Sequence, residues 1–288
     1  MRIRSFAKIN LGLEVVRRRP DRYHEIRTLF QSIGLADEIV FEPAPKGVLT
    51  LDGDDPAIPW DENNLILKAA RLLQARTGST LGAAIRVRKK IPPGKGLGGG
   101  SSNAAAALSA LNELWGLALG PADLAEMALA AGSDVPYFLY GGLCLGEGRG
   151  EALTPLTDLA PHLCVLALPP YPISTPEIYA GYGPFLTSAA KASKINRFLE
   201  TGDFGLLEND LEQVIFQTHP ELEGYKRFFR DQGAVLTQVS GSGSAVYGLF
   251  PDGDSARAAF GRLRAKAAAV MTETLPREAY WAHVGAGV

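Results

Sequence analysis

The chain has 288 residues, 46% of them hydrophobic and 21% charged, with 29 lysines and arginines against 31 aspartates and glutamates. This composition excludes a disordered or fibrous chain, and a net charge of −2 gives no support to nucleic acid as a partner. A small-molecule substrate is the expectation, on one large domain or two closely packed ones.

Cys144 and Cys164 lie outside C-x-x-C spacing and away from metal-spaced histidines, so they read as buried thiols of a cytoplasmic protein rather than a disulfide or zinc site. The opening MRIRSFAKINLGLEVVRRRP lacks the apolar core of a signal peptide. No window reaches the roughly 18 apolar residues of a membrane span, so no membrane partner is expected.

Ile3, Phe6, Ile9, Leu11, Leu13 and Val15 predict a strand pair or one bent strand over 2–16. Residues 38–52 give further strand signals, and Asp61 is the expected cap of a helix through 63–78, with a stripe of Leu65, Ala69, Leu72 and Leu73 ended by Gly78. The segment 83–91 alternates Ile85, Val87 and Ile91 with Arg86, Arg88 and Lys90, a half-buried strand with a solvated basic face. A helix over about 102–116 and another from Pro121 come next, then a turn and hairpin over 132–153. Residues 165–175 run from a strand into a proline-rich loop, and 176–231 are mainly helical. Two strands, AVLTQVS and AVYGLF, flank Gly241–Ser244. A helix from Asp254 carrying Ala256, Phe260, Leu263, Ala267 and Val270, and a last strand near AYWAHV, complete the order. Without regular βαβ repetition or an internal repeat, the class is α+β.

Between the basic strand and the next helix lie Pro92, Pro93, Gly94, Lys95, Gly96, Leu97, Gly98, Gly99, Gly100, Ser101 and Ser102. Glycines let a backbone approach an anion, and a helix start offers free N–H groups, with Ser102 or Asn103 as the expected cap. The Walker pattern is absent because Gly96 follows Lys95. G-x-G-x-x-G matches at Gly94, Gly96 and Gly99, but no parallel strand with a ribose-binding acid comes after it. Phosphate binding is the preferred reading over a glycine loop that only packs a helix.

The string resembles the second signature of the galactokinase, homoserine kinase, mevalonate kinase and phosphomevalonate kinase (GHMP) superfamily. Residues 5–13, SFAKINLGL, look like its first signature, and TQVSGSGSAVYGLF like its third. GLGGGSSNAA, the RPDRYHE of 19–25 and the AGSDVPYF of 131–138 are most similar to the 4-diphosphocytidyl-2-C-methyl-D-erythritol kinase family. The resemblance implies two subdomains, 1–155 binding ATP and 156–288 on the substrate side, with mixed and antiparallel sheets and the active site in the cleft between them. It implies phosphorylation of the 2-hydroxyl of that substrate in the non-mevalonate route to isopentenyl diphosphate, by a monomer or weak homodimer. Arg22 departs from the usual glycine, and Lys95 from a usually small residue, its ammonium free to reach a phosphate or lie in solvent.

By the same resemblance Asp134 is the catalytic aspartate and Lys8 its partner; from the residues alone they read as a turn acid and a solvent-facing strand lysine. Asn10, Tyr23, His24 and Tyr179 match the residues lining the cytidine and erythritol site, Tyr179 standing where phenylalanine is common. Asn63 and Asn64 either approach the nucleotide or cap a helix. Gly241, Ser242 and Gly243 either touch a phosphate or form a β-turn. His162, His219 and His283 offer no metal spacing, so Mg²⁺ is expected to ride on ATP, touched by Ser101 or Ser102.

Overall fold

In the computed structural model, which describes residues 1–183 and 193–284, β1 (Arg2–Arg18) is one irregular strand paired antiparallel along β2 (His24–Ala44). Residues 5–13 of β1 are all buried, as expected of a strand covered on both faces. Register shifts at Phe6/Ala7 and Asn10/Gly12 bracket Lys8 and Asn10, and such bulges re-aim side chains beside functional sites. The early half of β2 escapes periodicity because Thr28, Gln31, Ser32 and Asp37 are polar yet buried.

β2 also pairs with β4 (Gly82–Arg88) through Glu38–Ala44 and with β5 (Leu143–Glu147) through Thr28–Gln31. β3 (Leu49–Gly53) runs parallel to β4, and β6 (Ala152–Pro155) forms an edge on β5. Helices α1 (Leu65–Thr77), α2 (Gly99–Leu114) and α3 (Pro121–Ala131) cover this mixed sheet, with Ala69, Leu73, Ala104, Leu108 and Leu111 packed in one cluster with Ile39, Phe41 and Ile85. The alanines of α2 let it lie close to the strands.

The second sheet is wholly antiparallel in the order β10-β7-β9-β8, from β7 (Leu163–Ala167), β8 (Leu236–Val239), β9 (Val246–Phe250) and β10 (Ala269–Glu273). The helices α4 (Thr175–Gly181), α5 (Lys194–Thr201), α6 (Glu212–Thr218), α7 (Glu221–Asp231) and α8 (Gly253–Arg264) accompany it. The part of the predicted helical stretch at 184–192 lies outside the described residues. Ile9, Leu11, Leu29 and Ile33 of the first sheet share a core with Cys164, Leu166, Tyr247 and Leu249 of the second. The halves therefore meet through apolar packing as well as around the site.

Several boundaries differ from the sequence reading. Asn64, not Asp61, caps α1: its Oδ1 accepts from the Ile66 N–H at 3.0 Å, while Asp61 holds the Asn63 N–H. The α2 cap is Gly98 in a left-handed conformation, so the helix starts three residues before Ser102. α8 ends at Arg264, leaving Ala267 beyond it and Val270 in β10. The predicted last strand is instead α9 (Arg277–Val284). Its Tyr and Trp suggested a strand, but Tyr280 is buried against Phe6 and donates to the Phe138 carbonyl at 2.8 Å.

Candidate active site

The glycine-rich loop is shaped by what crowds it. Gly94, Gly96 and Gly98 have φ of +68°, +78° and +71°, which only glycine adopts at no steric cost. A Cβ on Gly96 would stand 1.9 Å from the Ser240 carbonyl, and one on Gly98 would stand 2.6 Å from the Phe138 ring and 3.1 Å from Lys8 Cγ. The Lys8 N–H donates to the Leu97 carbonyl at 3.0 Å, and the Ser240 hydroxyl to the Gly96 carbonyl at 2.9 Å. The loop is thus wedged between β1 and the turn joining β8 to β9. α2 then begins at Gly99, and its first N–H groups have no partner within the helix. That is a ready anion cradle with no side chain in the way.

Behind α2 lies a buried polar network that sequence reasoning missed. Asp37 is fully buried; its Oδ1 accepts the Lys90 and Ile91 N–H groups at 2.7 and 2.8 Å, and its Oδ2 accepts from Asn103 Nδ2 at 2.9 Å and from the Lys89 ammonium. Asn103 also donates to Ser5 Oγ, which donates to Ser102 Oγ at 2.7 Å. One carboxylate on β2 therefore ties down both the entry to the loop and the helix that leaves it. Ser102 is held inward, which leaves Ser101, half-buried, as the hydroxyl nearer the open side. Only the contrast of an Asp within an apolar β-segment could have signalled Asp37 beforehand.

Beside the loop opens a cavity of about 640 Å³ lined by Lys8, Asn10, His24, Asp134, Tyr179 and Ser242 among others. Lys8 Nζ stands 3.7 Å from Asp134 Oδ2, the lysine side chain 5% exposed and the aspartate 37%. Burial lowers the Lys8 pKa, and the Asp134 charge opposes that shift. Lys8 also donates to Asn10 Oδ1 at 2.7 Å; Asn10 Nδ2 donates to Thr28 Oγ1, and Thr28 to the Gly12 carbonyl, each at 2.8 Å. Asn10 thus aims the ammonium through a chain anchored on backbone. Asp134, on the turn between α3 and the 3-10 segment Pro136–Leu139, keeps one side open to the cavity. A carboxylate held there can accept a proton from an incoming hydroxyl, and the ammonium can stabilise developing negative charge.

The opposite wall is aromatic. His24 and Tyr179 stack with centroids 5.3 Å apart and planes at 27°. His24 is 8% exposed and its Nε2 is buried with no hydrogen-bond partner, while burial and Arg18 lower its pKa. A buried, unpartnered ring nitrogen fits a ligand with polar edges, such as a nucleobase. Tyr23, 55% exposed, holds the Arg149 guanidinium 5.0 Å from its ring centroid, and both line the cavity. Thr175 completes the rim through a 2.7 Å hydrogen bond with Ser242.

Lys8, Asn10, Tyr23, His24, Gly96, Gly98, Asp134, Tyr179, Gly241 and Ser242 are therefore brought to one cavity. Other expected residues are not. Lys95 does not lie in solvent or line the cavity: it is 7% exposed, and its ammonium donates to the carbonyls of Pro169 and Tyr171. Asn64 is committed to capping, and Asn63 is exposed in the turn before α1 with its N–H on Asp61. Gly243 serves packing, since a Cβ there would stand 2.1 Å from the Lys95–Gly96 backbone. Arg22 occupies its turn at φ +69°, a conformation that costs a non-glycine residue about 1 kcal/mol. Arg18, Arg149, Ser133 and Thr175 line the cavity without having been singled out, because nothing in their local spacing marks them.

Comparison with known proteins agrees with this geometry. The model for the N-terminal domain of GHMP kinases matches residues 64–142, and that for the C-terminal domain residues 190–269. A 4-diphosphocytidyl-2-C-methyl-D-erythritol kinase from Pelotomaculum thermopropionicum is 43% identical over 263 residues, covering 90% of this chain and 92% of that protein. One from Chloroherpeton thalassium is 39% identical over 270 residues, covering 91% and 93%. A crystal structure of 4-(cytidine 5'-diphospho)-2C-methyl-D-erythritol kinase matches with a TM-score of 0.82 at 36% identity, over 95% of this chain and 99% of that one. Homoserine kinase from Cytophaga hutchinsonii, at 19% identity and a TM-score of 0.74 over 96% of this chain and 95% of that one, shares the fold. With a glycine cradle, a Lys–Asp pair and an aromatic wall around one cavity, the chain is a kinase that belongs to the 4-diphosphocytidyl-2-C-methyl-D-erythritol kinase family of the GHMP kinases.

Proposed function

We propose that the protein transfers the γ-phosphoryl group of ATP to the 2-hydroxyl of 4-diphosphocytidyl-2-C-methyl-D-erythritol, in isopentenyl diphosphate biosynthesis by the non-mevalonate pathway. The observation that carries this is the Lys8–Asp134 pair set between the glycine loop and the His24–Tyr179 stack. The loop backbone and the start of α2 hold the ATP phosphates. The cytosine lies against the aromatic wall, with the His24 Nε2 available to its edge. Asp134 accepts the hydroxyl proton, the hydroxyl oxygen bonds to the γ-phosphorus, the bond to the bridging oxygen breaks, and ADP leaves. Lys8 stabilises the charge on the transferring group.

The half-buried Ser101 at the start of α2 is the hydroxyl that would approach a Mg²⁺ carried by ATP, and the ion would neutralise phosphate charge. Residues 1–155 hold every strand of the first sheet and the loop, and 156–288 every strand of the second, so we assign ATP binding to the first segment and the Thr175–Tyr179 wall to the second. Asn10, Tyr23 and His24 cross that division, since the acceptor rests on both. The exposed large apolar residues, among them Val16, Val48, Leu129 and Val235, are scattered along the chain, in keeping with a monomer or weak homodimer. Two buried free thiols suit a cytoplasmic enzyme, and no described helix is long and apolar enough to cross a membrane.

The test is ADP release with cytidyl-methylerythritol, mevalonate, homoserine and galactose offered separately. Release with the first alone is expected. Preference for another acceptor would make it a sister kinase, and ATP binding without acceptor-dependent release would make it a silent nucleotide-binding protein.

A further inference from the structure

The segment joining β7 to α4, Leu168–Ser174, contains Pro169, Pro170 and Pro172. Proline has no N–H to donate, so this stretch cannot hold itself by its own backbone ladder. Its carbonyls are instead met from across the molecule. Lys95 Nζ donates to the Pro169 carbonyl at 2.6 Å and to the Tyr171 carbonyl, and the Ser244 hydroxyl donates to Tyr171 at 2.7 Å. Lys95 forms no ion pair among the described residues, so its buried charge is met by these carbonyl dipoles. Its own carbonyl accepts the Ala245 N–H at 3.2 Å, and the Gly96–Gly243 contact leaves no room for a side chain. The ammonium is therefore launched from a rigid base.

The helix after the proline segment is short, and it meets the rest of the protein on its inner side, where Ile178 is buried in the same cluster as Val214 and Ile215. α4 has seven residues, its Ser174 cap makes no side-chain hydrogen bond, and it carries Tyr179, whose ring stacks on His24, and Thr175, which bonds Ser242. A helix of two turns takes its position from its lead-in as well as from that packing.

We propose that Lys95 is a positioning residue for the acceptor: from within the ATP loop it fixes the proline segment, and through it the placement of α4 and Tyr179. The proposal rests on the reading of the cavity as a cytidyl-substrate kinase site. It links the two ends of the reaction physically, because the loop that cradles the donor also braces the wall that receives the acceptor.

The test is Lys95→Met, which keeps the apolar stem and removes both donors. The KM for the cytidyl substrate should rise about tenfold, while the KM for ATP changes by less than about twofold. Hydrogen exchange of the amides at 177–182, measured without ligands, should quicken about tenfold, with 84–88 unchanged. Lys95→Arg, which retains donors for both carbonyls, should restore both readouts most of the way. If Lys95→Met does not fold, Ser244→Ala removes the other bond to the Tyr171 carbonyl and should raise the acceptor KM about two- to threefold. A rise confined to the ATP KM would make Lys95 a phosphate ligand and overturn the proposal, as would unchanged acceptor KM and exchange. A wild-type enzyme inactive on the cytidyl substrate but quickened at 177–182 by Lys95→Met would instead refute the substrate reading and leave the brace standing.

Discussion

Replacing Asp134 by Asn keeps the shape of the carboxylate and removes its charge and its ability to take a proton. Lys8 Nζ lies 3.7 Å away with its side chain 5% exposed, and Asn10 already occupies one of its donors. Unit charges about 4 Å apart attract by about 4 kcal/mol at an effective dielectric of about 20. Asp134 is 37% exposed, so the loss falls between the roughly 1 kcal/mol of an exposed pair and the 3 kcal/mol or more of a buried one. The larger effect is on chemistry: losing a positioned base should lower turnover by about 10²–10⁴, a barrier increase of roughly 3–5 kcal/mol. ATP affinity, measured by calorimetry, should change little, because the glycine loop is untouched. Because the wild-type Lys8 pKa lies below the ordinary lysine value, its charge is lost as pH rises through that lowered value. Activity should therefore fall on the alkaline side earlier than for an exposed lysine, and earlier still in Asp134→Asn, where the opposing carboxylate is gone. If the two residues act as a unit, Lys8→Met combined with Asp134→Asn should be about as slow as the slower single variant. Turnover of Asp134→Asn within about tenfold of wild type would refute the assignment of this carboxylate as the base.

His24→Ala, which removes the ring stacked on Tyr179, should raise the KM of the cytidyl substrate about tenfold and leave that of ATP nearly unchanged, as steady-state kinetics with each substrate varied would reveal. Gly98→Ala would drive a methyl group to 2.6 Å from Phe138 and strain a backbone at φ +71°; titration should show ATP affinity reduced at least about tenfold. Asp37→Ala would leave the buried Lys89 ammonium without its carboxylate and two N–H groups unpaired; a cost of about 3–5 kcal/mol should lower Tm by about 10 °C in a thermal melt.

The candidate phosphate loop was legible in the sequence because its glycines and the helix start that follows are a local pattern. Five glycines followed by hydroxyls and an alanine helix mark a backbone that must approach an anion, and they lie together in the chain. Lys8, Asp134, His24 and Tyr179 were found through resemblance, not spacing; nothing local distinguishes Lys8 from a solvent-facing strand lysine. Its 5% exposure arises only when the loop and α2 close over β1. Asp37 was invisible for a related reason. Its partners are the Lys89–Ile91 turn and Asn103, more than fifty residues away in the chain, and an acid in an apolar strand reads as a solvent-facing position until they surround it. The final helix was misread because Tyr and Trp favour strands, whereas Tyr280 is helical through its packing on Phe6 and Phe138.

Lys95 marks most sharply where local information ends. The sequence by itself determined an α+β chain with a glycine-rich loop running into a helix, since periodicity, glycine freedom and helix-start chemistry are properties of neighbouring residues. Only the tertiary structure decided that Lys95 turns toward the Pro169 and Tyr171 carbonyls and that Lys8 and Asp134 stand 3.7 Å apart. Those outcomes depend on which distant backbone groups lack donors and which charges lose water, and both are settled when the two sheets pack against one another.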